Sequence, residues 1–126
     1  MLDLDYFKSI NDRFGHPTGD HVLTSFSSYL LHNLRAGDEV GRLGGEEFAL
    51  LLPDISAGNV QQLITRLLDE FAHIPHHTPK DEPLYVTFSA GVAMLDDKCD
   101  LETWTRRADD ALYVAKRGGR ARVEAA

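Results

Sequence analysis

A chain of 126 residues, 43% of them hydrophobic, has the size of one compact domain with an ordinary core. Its formal charge of −7 argues against a nonspecific nucleic-acid binder, because phosphate backbones are held by clustered Lys and Arg that are not in excess here. The single cysteine, Cys99, excludes an internal disulfide and fits a reducing cytoplasm, and no apolar run resembles a signal peptide or reaches the length of a membrane span.

Met1-Leu2-Asp3-Leu4-Asp5-Tyr6-Phe7 alternates apolar and acidic residues, as a strand does when its polar side faces a site. Phe7 to Asp20 carries Lys8, Asn11, Asp12, Gly15, His16, Pro17 and Gly19, and this density of turn formers predicts a loop. Turn closure by Asn11 and helix capping by Asp20 would account for those two residues, and His16 reads as structural. Val22, Phe26, Leu30 and Leu34 recur every fourth residue, which predicts an amphipathic helix from Asp20 to about Leu34 with its stripe in the core. Arg35 and Gly37 then suit a helix C-terminus with a favourable cation and a glycine stop.

Gly44-Gly45 between Glu39–Leu43 and Phe48–Leu52 predicts a hairpin tip, since glycine accepts the positive φ of a tight primed turn. Glu46 and Glu47 sit on that bare tip, where a large anion can come close and a cation would relieve their repulsion. The same residues also suit a plain solvent-exposed acidic turn. Phe48 to Pro53 is a continuous apolar run stopped by proline, expected of a strand buried on both faces beneath helices. Ser56 caps a second predicted helix, whose face is Val60, Leu63, Ile64, Leu67, Leu68 and Phe71; Arg66 lies off that face.

His73 to Pro83 is rich in breakers and histidines. Zinc would need partners that His76 and His77 lack at helical spacing, so an exposed loop is expected. Leu84 to Met94 alternates as one long strand or two halves bent at Gly91. Leu101, Trp104, Ala108, Ala111, Leu112 and Ala115 mark a third helix ending in the basic run Lys116 to Arg120, which complements a helix dipole. One mixed α/β domain accommodates this order of elements.

Several separated blocks carry a resemblance. Gly44-Gly45-Glu46-Glu47-Phe48, the opening Asp3 to His16, Gly19-Asp20, Ala108 to Tyr113 and Ala115-Lys116 together resemble the GGDEF family of diguanylate cyclases, in order and over nearly the whole chain. The resemblance implies a ferredoxin-like βαββαβ sheet of nucleotide-cyclase type, flanked by helices. It implies a single domain over residues 1–126 that lacks the family's first helix, the Asn-Arg-rich turn before it and most of the first strand. It further implies synthesis of cyclic di-GMP from two GTP molecules across a homodimer, with Mg²⁺ (or Mn²⁺) held by Asp3, the Leu4 carbonyl and Glu47, and with Glu46 as a base or second metal ligand. Phe7, Lys8, Gly44, Gly45, Lys116 and Arg120 correspond to residues near the nucleotide and its phosphates, and Asn11 and Asp20 to readers of the guanine edge. Arg35-Ala36-Gly37-Asp38 matches an Arg-x-x-Asp inhibitory product site, to which Arg66 of a neighbouring domain can contribute. Ala121 departs from the family's usual asparagine. A cytoplasmic location, an upstream sensory or receiver domain, and no membrane or nucleic-acid contact by this segment complete the expectation. A catalytically silent module binding GTP or cyclic di-GMP, and an interaction domain that merely keeps the fold, are the alternatives.

Overall fold

The computed structural model describes residues 1–126. A five-stranded mixed sheet in the order β2-β3-β1-β6-β7 carries four helices. The strands are β1 (Leu2–Leu4), β2 (Glu39–Gly44), β3 (Glu47–Leu51), β6 (Phe88–Val92) and β7 (Val123–Ala125). The helices are α1 (Phe7–Phe14), α2 (His16–His32), α3 (Ala57–Ala72) and α4 (Leu101–Arg117). Neighbours are antiparallel except β6 and β7, which are parallel and joined through α4. The order β6-β1-β3-β2 is that of a ferredoxin-like sheet, with β7 added at one edge.

Alternation along the strands divides the sheet into two unlike faces. Leu2, Leu4, Phe48, Phe88 and Ala90 enter one core with Val22, Phe26 and Leu30 of α2 and Val60, Ile64, Leu67 and Phe71 of α3. Phe26 is its centre, with ring centroids 4.9–5.0 Å from Phe48, Phe71 and Phe88. The opposite face presents Asp3, Asp5 and Ser89, and α4 lies over it. A Cβ on Gly91 would fall 2.2 Å from both the Ala108 carbonyl oxygen and the Leu112 nitrogen. Gly91 therefore lets helix and strand approach to backbone contact, and β6 runs straight through it instead of bending.

Five local expectations change. Phe7 to Asp20 is helical, not a loop: Phe7, Ile10 and Phe14 are spaced for one face, Pro17 occupies the first turn of α2, and Gly15 at φ 91° makes the break. The following helix accordingly starts at His16 and ends at His32 with Asn33 as its cap, so Gly37 is no helix stop. β3 is not buried on both faces, since Leu51 is 46% exposed where α4 does not reach. Leu84 to Met94 is not one strand: Pro83–Leu84 (β5) pairs with His76–His77 (β4) in a separate two-stranded sheet. That hairpin buries His76, expected in an exposed loop. Its Nδ1 donates to the Leu84 carbonyl at 3.3 Å, and Nε2 lies 3.0 Å from Ser25 Oγ. Ser56 caps α3 as expected, accepting from Asn59 N at 3.2 Å, and Asp100 does the same for α4. No helix is long and apolar enough to cross a membrane.

Candidate active site

Register brings the key carboxylates together. Asp3 stands opposite Glu47 on one side and opposite Ser89 on the other. Directly opposed residues of an antiparallel pair share a face with Cβ atoms about 5 Å apart, so both side chains rise on the α4 side. Gly44 pairs with Glu47, leaving Gly45 and Glu46 as a two-residue turn with positive φ at Gly45 alone. Arg42 Nε donates to the Gly45 carbonyl at 2.9 Å and Leu4 N to the Glu46 carbonyl at 3.2 Å, so the tip is tied to both neighbouring strands.

The two acids have different surroundings. Glu47 is exposed and Asp3 buried, with Lys116 Nζ on α4 2.6 Å from Asp3 Oδ2. Burial pushes the Asp3 carboxyl above its ordinary range; the Lys116 ammonium pulls it down, and Glu46 and Glu47 push it up again. No group of three or more His, Cys, Asp or Glu side chains gathers for a metal. Two carboxylates with a neighbouring backbone carbonyl form an incomplete, oxygen-only set of the kind Mg²⁺ uses when substrate phosphates finish its shell.

Asn11 on α1 is wedged against α2. A Cβ on Gly19 would meet Asn11 Oδ1 at 1.8 Å, and that oxygen is buried with no hydrogen-bond partner. Asp20 follows Gly19 and is exposed, as is Lys8 one turn before Asn11; Phe7 is buried beneath them. Asp20 lies inside α2 and caps nothing.

Arg35 to Asp38 is a closed turn beyond α2. Arg35 donates to Asp38 through its backbone N at 2.9 Å, Nε at 3.3 Å and Nη2 at 3.2 Å, and Nη2 reaches the Pro53 carbonyl at 2.6 Å. Burial works against ionisation of Asp38, but these bonds hold its carboxyl below the usual value. Gly37, at φ 93°, closes this turn. Arg66 is exposed and engaged with Glu70 at 3.2 Å and with Asn33 Oδ1 at 3.1 Å, the cap of α2.

The family profile "Diguanylate cyclase, GGDEF domain" matches residues 1–122. The chain belongs to this family. It is 47% identical over 126 residues to diguanylate cyclase DgcP of Pseudomonas aeruginosa, covering all of this chain and 19% of DgcP. It thus spans about a fifth of that protein. The GGDEF domain of DgcB from Caulobacter crescentus, solved with c-di-GMP, superposes with a TM-score of 0.93 at 35% identity, over 98% of this chain and 74% of that one. The active GGEEF domain of a Vibrio cholerae diguanylate cyclase superposes with a TM-score of 0.88 at 34% identity, over 98% of this chain and 78% of that one.

Within this GGDEF domain, sequence reasoning missed Asp5. Its Oδ2 accepts from Thr87 Oγ1 at 2.6 Å and from Ala121 N at 3.1 Å, and its Oδ1 accepts from Ser89 Oγ at 2.7 Å. The period-2 spacing from Asp3 was the available signal, because a second acid on a buried face must be satisfied by something. Arg120 is left-handed at φ 65°, with Cζ 4.7 Å from the Tyr6 ring centroid.

Proposed function

We propose that this domain condenses two GTP molecules into cyclic di-GMP, the 3′-hydroxyl of each attacking the α-phosphate of the other with release of two pyrophosphates. The observation that carries the reading is the opposition of Asp3 and Glu47 beside Lys116, at the base of a Gly-Gly-Glu-Glu turn. Asp3, the Leu4 carbonyl and Glu47 would hold Mg²⁺ (or Mn²⁺), which supplies charge neutralisation on the phosphates and a more acidic attacking hydroxyl. Glu46, at the tip, takes the hydroxyl proton or supports a second ion. Gly44 and Gly45 admit the nucleotide to the backbone, with no atom near where a Cβ would stand. Lys8, Lys116 and Arg120 meet the phosphates, with Phe7 packed under the α1 entrance, and Asn11 and Asp20 read the guanine edge. An orphaned buried amide oxygen at Asn11 costs about 1–3 kcal/mol, which is reasonable for a side chain held for a ligand.

Each GTP occupies one protomer, so the bond-forming step needs a homodimer with facing half-sites. The domain works in the cytoplasm behind an upstream sensory or receiver domain. Cyclic di-GMP inhibits through Arg35 and Asp38, with Arg66 of a neighbouring domain contributing. Binding there trades the Arg35–Asp38 turn for a charge-assisted fork to phosphate or guanine. Arg35→Ala should therefore weaken product binding by roughly one to two orders of magnitude in calorimetry, and equal affinity in parent and variant would remove this site from the reading.

The Lys116–Asp3 contact favours one second reading, a catalytically silent module for GTP or cyclic di-GMP, since a carboxylate already paired with an ammonium has less need of a metal. Incubation with GTP and Mg²⁺, analysed for cyclic di-GMP and pyrophosphate in a one-to-two ratio, separates the two. Nucleotide binding without turnover selects the silent module; neither binding nor turnover rejects both.

A further inference from the structure

We infer that Tyr6 and Asp5 are positioning residues that hold the Arg120 guanidinium at the rim of the carboxylate site, with its N–H edge free for a nucleotide's phosphate chain. The identity of that ligand rests on the diguanylate cyclase reading above.

The turn after α4 is conformationally demanding. Gly119, Arg120 and Ala121 have φ of 116°, 65° and 49°, and two of these three left-handed residues carry side chains. Each such residue costs about 1–2 kcal/mol, so surrounding structure must impose the conformation. Asp5 clasps the turn from below through Ala121 N, and its own carboxylate is fixed by Thr87 and Ser89. Tyr6 closes it from the side, where its ring lies against the Arg120 guanidinium.

Tyr6 has no evident role in the core. It is left-handed at φ 57° and ψ 30°, its side chain is 61% exposed, and its hydroxyl makes no hydrogen bond. Its partner is equally telling. Lys116 is committed to Asp3, whereas Arg120 forms no ion pair. A salt bridge would occupy the guanidinium's N–H donors; here the cation lies over the Tyr6 ring and makes no side-chain hydrogen bond. The five N–H donors stay available for in-plane, bidentate bonds to phosphate oxygens. Tyr6 also immediately precedes α1, so one ring couples the α4 turn to the junction that leads to Lys8 and Asn11.

Binding of an α,β-methylene GTP analogue with Mg²⁺, and of guanosine, measured by calorimetry on the parent, Tyr6→Leu, Tyr6→Phe, Arg120→Met and Tyr6→Leu/Arg120→Met, tests this. Tyr6→Leu should weaken the analogue about two- to fivefold, as an exposed cation–π contact does, and leave guanosine binding unchanged. Tyr6→Phe should match the parent, because the hydroxyl is idle. In the Arg120→Met background, Tyr6→Leu should add nothing. Parent-like affinity in Tyr6→Leu, an equal loss for guanosine, or additive losses would each overturn the inference while leaving the cyclase reading standing. A parent that binds no analogue overturns that reading, and with it the ligand assigned to Arg120.

Discussion

Asp3 carries an electrostatic load that its neighbours only partly relieve. Its carboxyl sits in a sheet face where burial favours the protonated form and Glu46 and Glu47 add repulsion to the charged one, with Lys116 the one compensating charge. A carboxyl raised in the folded state contributes stability below its unfolded pKa and loses it as pH rises through the folded one. Without metal, Asp3→Asn should therefore melt with the parent below about pH 4 and a few degrees above it at neutral pH. Lys116→Met should melt lower at neutral pH by roughly 1–2 kcal/mol, a loss that Asp3→Asn should cancel. A parent that stays as stable as Asp3→Asn across this range would show that the carboxylate is not strained. In turnover, Asp3→Asn and Glu47→Gln should each abolish metal-dependent synthesis and the double variant be no worse, as expected of groups acting as a unit. The placement of Asp3 on a polar strand face, and of Glu46 and Glu47 beside the glycine turn, was legible in the chain because acids alternate with apolar residues in the first and follow the glycine pair in the second. Lys116 was read as a phosphate contact or a helix-dipole partner, and its pairing with Asp3 was not legible. That contact spans 113 positions and exists only because α4 crosses β1.

At the level of elements, what reads well is what periodicity encodes. α3 and α4 follow their apolar faces, and the hairpin follows its glycines. α1 was hidden because Lys8, Asn11, Asp12 and Arg13 are composed like a turn while Phe7, Ile10 and Phe14 supply only a two-turn stripe. A bend at Gly91 was one of two readings because glycine interrupts strands for more than one reason, and only the helix packed over it distinguishes them. The same contact gives a prediction. A methyl on Gly91 cannot be relieved by a rotamer change, since its neighbours are the backbone of Ala108 and Leu112. Gly91→Ala should cost about 3 kcal/mol or more and lift α4 from β6, drawing Lys116 away from Asp3. Thermal melting checks the first part, and the neutral-pH gap between Gly91→Ala and Gly91→Ala/Asp3→Asn should widen beyond that in the parent background. A parent-like melting temperature would mean that α4 is held less closely than described.

The whole molecule is divided along one face of its sheet. Near the hairpin that face is charged and closed by Lys116; farther along, an open groove of about 570 Å³ is bordered by exposed leucines. Leu51, Leu43 and Leu101 in that lining are 46%, 54% and 71% exposed. Exposed leucines gathered around one groove are too apolar to stay indifferent in water. The chain should self-associate in a concentration-dependent manner, visible by light scattering across a dilution series. Its charge of −7 opposes that contact, so added salt should strengthen association by screening repulsion, the opposite of what an interface built on ion pairs would show. Replacing Leu51 by Lys and Leu101 by Glu should return the chain to monomer without lowering its melting temperature, because both side chains are already largely in water. A leading segment that lay in the groove should achieve the same result with no substitution. A monodisperse monomer at all concentrations and salts would mean that the groove closes on itself in solution, and that the open face between β3 and α4 is not a surface that seeks cover.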